Sequence, residues 1–101
     1  MHLVQIILPL YTNDGNPIAR ELFNEVRERL LERFGGVTAF TRAPAEGLWQ
    51  EGKHVQRDDV LLYEVMVESI DRGWWLSYRT ELERKFHQQE IVVRAHAIER
   101  F

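Results

Sequence analysis

The order of apolar patterns along the chain is the feature that most restricts its fold. Four stretches are rich in β-branched and aromatic residues or alternate apolar with polar ones, and two others repeat apolar residues at helical spacing. The strand-like stretches are residues 3–11, 37–43, 58–69 and 90–101, and the helix-like stretches are 17–34 and roughly 72–88. The sequence therefore predicts the order β-α-β-β-α-β.

Both predicted helices carry local signals at their ends. Asn16 followed by Pro17 predicts an N-cap with proline at the first helical position, and Gly35 predicts a left-handed C-cap. Asp71 predicts the N-cap of the second helix. The apolar face of the first helix comprises Ile18, Leu22, Val26 and Leu30, and that of the second comprises Trp75, Tyr78, Leu82 and Phe86. Adjacent residues cannot share one helix face, so Trp74 should point sideways.

This element order indicates a ferredoxin-like α/β plait, an α+β fold. Two right-handed β-α-β crossovers around one hairpin give a four-stranded antiparallel sheet with both helices on one face. Counting the predicted strands along the chain, the expected sheet order is 4-1-3-2. A chain of 101 residues matches one domain, so residues 1–101 are predicted to form a single ferredoxin-like domain.

Two helices can cover only one face of such a sheet, and the other face is unusual. Side chains alternate between faces along a strand, so each predicted strand separates into a nearly pure apolar set and a mixed set. The mixed sets contain Gln5, Thr38, Phe40, Arg42, Glu64, Arg94 and His96 among apolar neighbours. Such a face is too apolar for open solvent, which predicts either a dimer interface or a ligand pocket.

The mixed face contains the weak catalytic candidates of the chain, Glu64, His96 and Arg94. The simplest interpretation of Glu64 is a salt bridge across the sheet to Arg94 or Arg42. The functional alternative is that Glu64 acts as an acid or base beside His96 in a semi-apolar cleft. A histidine in this position is more often part of an interface than of a catalytic site.

The long connection between the second and third predicted strands carries Trp49 in a polar neighbourhood. A tryptophan there should cover the open face, meet a second chain or stack on a ligand. Together with residues expected near the same face, it defines the predicted ligand-binding set: Trp49, Tyr11, Arg42 and Gln5.

Composition excludes several function classes. The net charge of −3, with basic and acidic residues interspersed, predicts no nucleic-acid partner and no anionic membrane partner. The absence of cysteine excludes disulfides and thiolate chemistry and favours a cytoplasmic location. The four histidines show no ligand spacing, so no metal and no cofactor are predicted. The N-terminal apolar run is too short for a membrane span and is interpreted as a strand.

Three short motifs suggest a relationship. The chain reads "ERFGGVT", then "GLW", then "YEV", and the matching residues are Phe34, Gly35, Gly36, Thr38, Gly47, Trp49, Tyr63 and Glu64. In these it resembles a family of small bacterial α/β-plait proteins with an FGG-x-T … G-x-W … aromatic-Glu pattern. The resemblance implies a ferredoxin-like plait in a bacterial cytosol. The family has no established activity, so the resemblance assigns no catalytic residue.

Three functions remain open from the sequence. The first is a homodimeric binding or regulatory module that uses the open sheet face, with a small-molecule ligand as a further option. The second is a small cofactor-independent enzyme of the dimeric plait type, in which Glu64, His96 and Arg94 work in a pocket lined by Tyr11 and Trp49. The third is a protein-interaction module that uses the 44–57 loop.

Overall fold

The computed structural model describes residues 1–42, 49–51, 54–56 and 59–101, with side chains described in 1–41 and 59–101. In these residues the elements are β1 (His2–Pro9), α1 (Arg20–Phe34), β2 (Thr38–Arg42), β3 (Trp49–Glu51), β4 (His54–Gln56), β5 (Val60–Val67), α2 (Arg72–Lys85) and β6 (Val92–Ala97). The predicted β-α-β-β-α-β order is confirmed, and β3 and β4 add a small antiparallel hairpin between β2 and β5.

The main sheet has the order β2-β5-β1-β6, which is the predicted plait order. All three pairings within it are antiparallel. The central strand β1 aligns Ile6 with Tyr63 of β5 on one side and with Val93 of β6 on the other. Because side chains alternate across a strand, these three residues lie on one face, which is the face that the helices cover.

The core lies between that face and the two helices. The strands and the following Ile91 contribute the buried side chains Val4, Ile6, Leu8, Tyr63, Val65, Val67 and Ile91, and the helices and the turn after α2 contribute Val26, Leu30, Trp75, Tyr78, Leu82 and Phe86. This confirms the predicted assignment of faces. Each fully buried large apolar side chain contributes about 1.5–3 kcal/mol relative to exposure, so the core supplies the main stabilisation.

The start of α1 differs from the sequence prediction. The helix begins at Arg20, and its N-cap Ala19 makes no side-chain capping bond. Asn16 and Pro17 instead belong to a tight turn, in which the Thr12 N–H donates to the Asn16 carbonyl at 2.7 Å and Tyr11 bridges to Pro17. After β1 the chain turns back on itself, and Asn16 and Pro17 form part of that turn. They are therefore not available to start the helix, although local capping rules predict that they do.

The other helix signals act where they were predicted. Gly35 adopts the left-handed conformation (φ 77°), and its N–H donates to the Leu31 carbonyl. The Asp71 carboxylate accepts a hydrogen bond from the Trp74 N–H at 3.1 Å. Helix α2 ends at Lys85, short of the predicted residue 88, because His87 takes a left-handed conformation (φ 51°).

Candidate functional site: the open face and the end pocket

The face of the main sheet opposite the helices, here called the open face, is organised in rows that cross the strands. Its polar row follows the register Thr38–Glu64–Gln5–Arg94. Glu64 and Gln5 are half-buried, whereas Thr38 and Arg94 are exposed. Four of the polar side chains that were predicted for this face therefore lie on neighbouring strands at one level of the sheet.

Apolar rows flank the polar row on both sides. One row runs Phe40–Leu62–Ile7–Val92 and the other runs Met66–Leu3–His96. Phe40, Met66 and Val92 are 44–50% exposed, while Leu62 is buried. Large apolar side chains that remain this exposed on one sheet face form the type of patch that proteins use for association or ligand contact.

Arg94 bonds to Gln5 and not to Glu64, its predicted partner. The Arg94 Nε donates a 2.8 Å hydrogen bond to the Gln5 Oε1. Glu64 lies on the far side of Gln5, two strands from Arg94 and therefore about 10 Å away along the row. Among the described residues no ion pair involves Glu64. The alternative salt bridge, between Glu64 and Arg42, involves the Arg42 side chain, which lies outside the described residues.

His96 does not lie beside Glu64. It pairs with Leu3 in the next row, two strands away from Glu64, and its side chain is exposed. Their Cα atoms are therefore separated by about 12 Å, beyond direct hydrogen-bond reach, by strand spacing and rise. The catalytic role of Glu64, His96 and Arg94 stays a prediction, and the open face brings these three together only as a patch.

A pocket of about 780 Å³ lies at the end of the open face, where β1 ends and β5 and β6 begin. Its volume is within the range of small-molecule sites. The apolar floor comprises Ile7, Pro9, Val60 and Val92, and the polar rim comprises Tyr11, Thr12, Asn13, Asp59, Gln88 and Glu90, with Gly15 beside them. We call this cavity the end pocket.

The rim of the end pocket is acidic and aromatic. The Asp59 Oδ1 is buried and has no hydrogen-bond partner among the described residues, and Glu90 is exposed on the opposite wall. Tyr11 is 45% exposed and is held in place by the turn that also displaced the start of α1. The pocket thus offers two carboxylates and an aromatic ring above an apolar floor.

The predicted ligand-binding residues have separate locations. Tyr11 lines the end pocket, and Gln5 lies one row away from it on the open face. The side chains of Arg42 and Trp49 are outside the described residues, as is most of the 44–57 loop, so their roles stay predictions.

Sequence patterns did not identify Asp59, Gln88 and Glu90. The predicted strand order could have indicated them. The end of β1 and the starts of its two antiparallel neighbours meet at one edge of the sheet, and these residues lie just before those starts.

The described residues contain no group of three or more His, Asp or Glu side chains arranged to hold a metal ion. Among the same residues, no helix has the length and hydropathy required to cross a bilayer.

Comparison with known proteins finds similarity at the level of structure. No family model matches the chain, and no curated protein sequence does. The fold is similar to a solved phage SAM lyase in complex with S-methyl-5′-thioadenosine, with a TM-score of 0.56 and 17% sequence identity. The match covers 94% of this chain and 79% of the lyase chain. At this identity the likeness shows a shared fold, an α+β plait with a four-stranded antiparallel sheet.

Proposed function

We propose that the protein is a homodimeric binding module that associates through its open face and takes a small cationic, ring-bearing ligand in the end pocket. The observation that carries the ligand class is the lining of that pocket, which combines Asp59 and Glu90 with an exposed Tyr11 ring over apolar side chains. A cation is attracted both to carboxylates and to the face of an aromatic ring.

The buried Asp59 Oδ1 is the strongest single element of this argument. A buried carboxylate oxygen without a hydrogen-bond donor is costly, at about 1–3 kcal/mol or more. A ligand cation that lies beside this carboxylate would offset that cost through its positive charge. The apolar floor then favours a ligand whose remaining surface is flat and weakly polar.

An S-adenosyl compound is the first ligand to test. The structurally similar phage SAM lyase was solved in complex with S-methyl-5′-thioadenosine. SAM carries a sulfonium, an ammonium and a carboxylate group and is a net cation, whereas S-methyl-5′-thioadenosine carries the same adenosine and no charge. The pair therefore separates recognition of the ring from recognition of the charge, which the acidic rim should provide.

Calorimetric titration with both compounds tests the ligand class. We expect SAM to bind more tightly than S-methyl-5′-thioadenosine. Asp59→Asn or Glu90→Gln should weaken SAM binding by about tenfold and leave the uncharged compound nearly unaffected, since a hydrogen bond to a charged group contributes about 1.5–3 kcal/mol. Glu68→Gln, an exposed carboxylate beyond the opposite end of β5, is the matched control. Equal affinity for the two compounds, or no binding of either at millimolar concentration, contradicts the proposal.

Dimerisation is supported by the symmetry of the polar row. Glu64 and Arg94 lie on either side of Gln5. Suppose that two sheets pack face to face and that a two-fold axis runs between them, parallel to β1 and over Gln5. The rotation then places the β5 side of one sheet over the β6 side of the other, so Glu64 of each chain lies opposite Arg94 of its partner. A two-fold axis perpendicular to the strands would oppose like charges, so the face is self-complementary in one arrangement only.

Charge reversal tests that arrangement. Glu64→Arg and Arg94→Glu should each shift the chain to the monomer in sedimentation velocity at tens of micromolar, because each opposes like charges across the interface. The double variant should restore the dimer. Glu28→Arg, on the exposed surface of α1, controls for net charge. A monomeric parent chain, or single variants that remain dimeric, would overturn this part of the proposal.

Catalysis is the second candidate function. It is favoured by Glu64, a half-buried carboxylate for which the described residues offer no ion-pair partner, on a fold that is also found in a SAM lyase. Incubation with SAM followed by chromatography would reveal S-methyl-5′-thioadenosine as a product. If Glu64 takes part, Glu64→Gln abolishes turnover while SAM binding persists. If the parent chain binds SAM but does not convert it, the enzyme hypothesis is wrong and the binding-module hypothesis stands.

A further inference from the structure

A second cavity lies on the helix side of the sheet, apart from the open face and the end pocket. It has a volume of about 270 Å³ and lies between α2 and the edge strand β6. Val4, Ile70, Trp75, Leu76, Val93 and Ala95 form its apolar lining, and Arg72, Arg79 and Arg94 complete it. We call it the edge groove.

The edge groove exists because the helices do not extend over all of β6. Val93 and Ala95 point to the helix side of this strand, yet Ala95 remains exposed and Leu76 of α2 is 55% exposed. Arg72, Leu76 and Arg79 follow one another at helical spacing, so α2 presents them on one face. The groove is thus a built feature with an apolar floor and a basic helix wall.

The charge in the edge groove is unbalanced. No Asp or Glu is among the described residues that line it, and the ion pairs within the same part of the chain involve neither Arg72 nor Arg79. Arg94 is turned to the other face, where its Nε donates to Gln5. The carboxylate nearest in sequence, Asp71, is already engaged by the Trp74 N–H and by Arg33.

Arg79 supplies the second observation. Its Nε is buried and has no hydrogen-bond acceptor among the described residues. Guanidinium groups bind carboxylates through two parallel N–H bonds, and the Arg79 side chain lines the groove. Arg72 adds positive charge at the N-terminus of α2, where the helix dipole disfavours a cation and favours an anion. One bound anion would offset the positive charges of Arg72 and Arg79 together.

We propose that the edge groove is a binding site for a small carboxylate that carries a short apolar body. The apolar body occupies the floor beside Trp75 and Ala95, and the carboxylate pairs with the Arg79 guanidinium, with Arg72 nearby. A cavity of roughly 150 Å³ is sufficient for benzene, so the groove has room for a ring or a short aliphatic chain together with its carboxylate. This site is independent of the end pocket, which has the opposite charge.

Nuclear magnetic resonance titration of the full chain with benzoate and hexanoate tests the site. The probes should shift the indole N–H signal of Trp75 and the amide signals of Val93 and Ala95. Benzamide and hexylamine, which lack the carboxylate, should bind at least tenfold more weakly. Arg79→Gln should reduce the benzoate affinity by about tenfold, and Arg84→Gln, an exposed arginine of α2 outside the groove, should not.

Ala95→Leu provides a second variant that does not depend on Arg79. Because Ala95 is exposed, a larger side chain there fills the groove without entering the core and should block benzoate. Equal binding of benzoate and benzamide, benzoate binding that survives both variants, or shifts confined to the end pocket would overturn the proposal. Binding only of an acidic peptide that protects the β6 amides from exchange would overturn it as well, in favour of strand addition at the sheet edge.

Discussion

The Tyr63 hydroxyl donates a 2.9 Å hydrogen bond to the backbone carbonyl of Phe23 and so joins β5 to α1. The side chain belongs to the core and is only 4% exposed. This carbonyl lies inside the helix, so it can accept the tyrosine proton in addition to its helical bond. The contact makes the spacing between helix and sheet specific where apolar packing alone would allow sliding.

Removal of this hydroxyl should lower stability. We expect Tyr63→Phe to reduce the free energy of unfolding by about 1 kcal/mol, the net contribution typical of one intramolecular hydrogen bond. Urea unfolding followed by circular dichroism measures it. Tyr11→Phe removes an exposed hydroxyl and should change stability by less than about 0.5 kcal/mol. Equal effects of the two variants would show that the Tyr63 bond contributes nothing specific.

Stability should also fall at alkaline pH. Burial raises the pKa of Tyr63 above its ordinary value, with Arg27 opposing the shift. Burial likewise raises the pKa of Tyr78, and Glu81 adds to the shift. Above about pH 10 the unfolded chain loses these phenol protons while the folded chain keeps them. The folded state then binds more protons, so the unfolding free energy declines as pH rises, by up to about 1.4 kcal/mol per pH unit for each tyrosine.

Unfolding free energies measured between pH 8 and pH 11 test this linkage. Tyr78→Phe should flatten the decline above about pH 10, because the phenol whose pKa is raised by burial is then absent. Tyr63→Phe should flatten it for the same reason. A slope that is the same in all three proteins would assign the alkaline loss to other groups.

Asp71 has two separable roles at the start of α2. One oxygen accepts the Trp74 N–H, and the other pairs with Arg33 at 3.2 Å, whose guanidinium also lies 4.6 Å from the centre of the Trp74 ring. Asp71→Ala should lower the free energy of unfolding by about 1 kcal/mol through loss of the cap. Asp71→Asn retains a capping oxygen and loses only a solvent-exposed ion pair, so a few tenths of a kcal/mol are expected. Asp14→Ala, in an exposed turn, is the control. If Asp71→Asn lowers stability as much as Asp71→Ala, the cap and the ion pair are not separable.

The adjacent glycines at the end of α1 should respond differently to alanine. Within the part of the chain that the structure describes, neither site has a heavy atom within 4 Å of a new Cβ, but Gly35 has a positive φ and Gly36 does not. Gly35→Ala should therefore destabilise the fold by about 1 kcal/mol through backbone strain. Gly36→Ala should be neutral or slightly stabilising, because alanine restricts the unfolded chain. Thermal melts of the two variants, compared with the parent chain, distinguish strain from crowding.

Local sequence patterns were sufficient for the element types, the order of the strands and the two faces of the sheet. Gly35 and Asp71 act where short-range rules place them, since their effects depend only on the backbone within a few residues. The alternation in β1 and β5 assigned Ile6 and Tyr63 to the core. Side chains repeat every two residues along a strand, so the apolar set must lie on the face that the helices cover.

Long-range geometry decided the rest. Asn16 and Pro17 satisfy the rules for a helix start, but pairing of the chain with the end of β1 outweighs them, and α1 begins at Arg20. The strand register separates Glu64 from Arg94 by Gln5. It also brings Asp59 and Glu90, which are 31 residues apart in the chain, to one pocket. These relationships depend on which strands are neighbours and on how far a helix reaches over a sheet edge, and no window of adjacent residues contains that information.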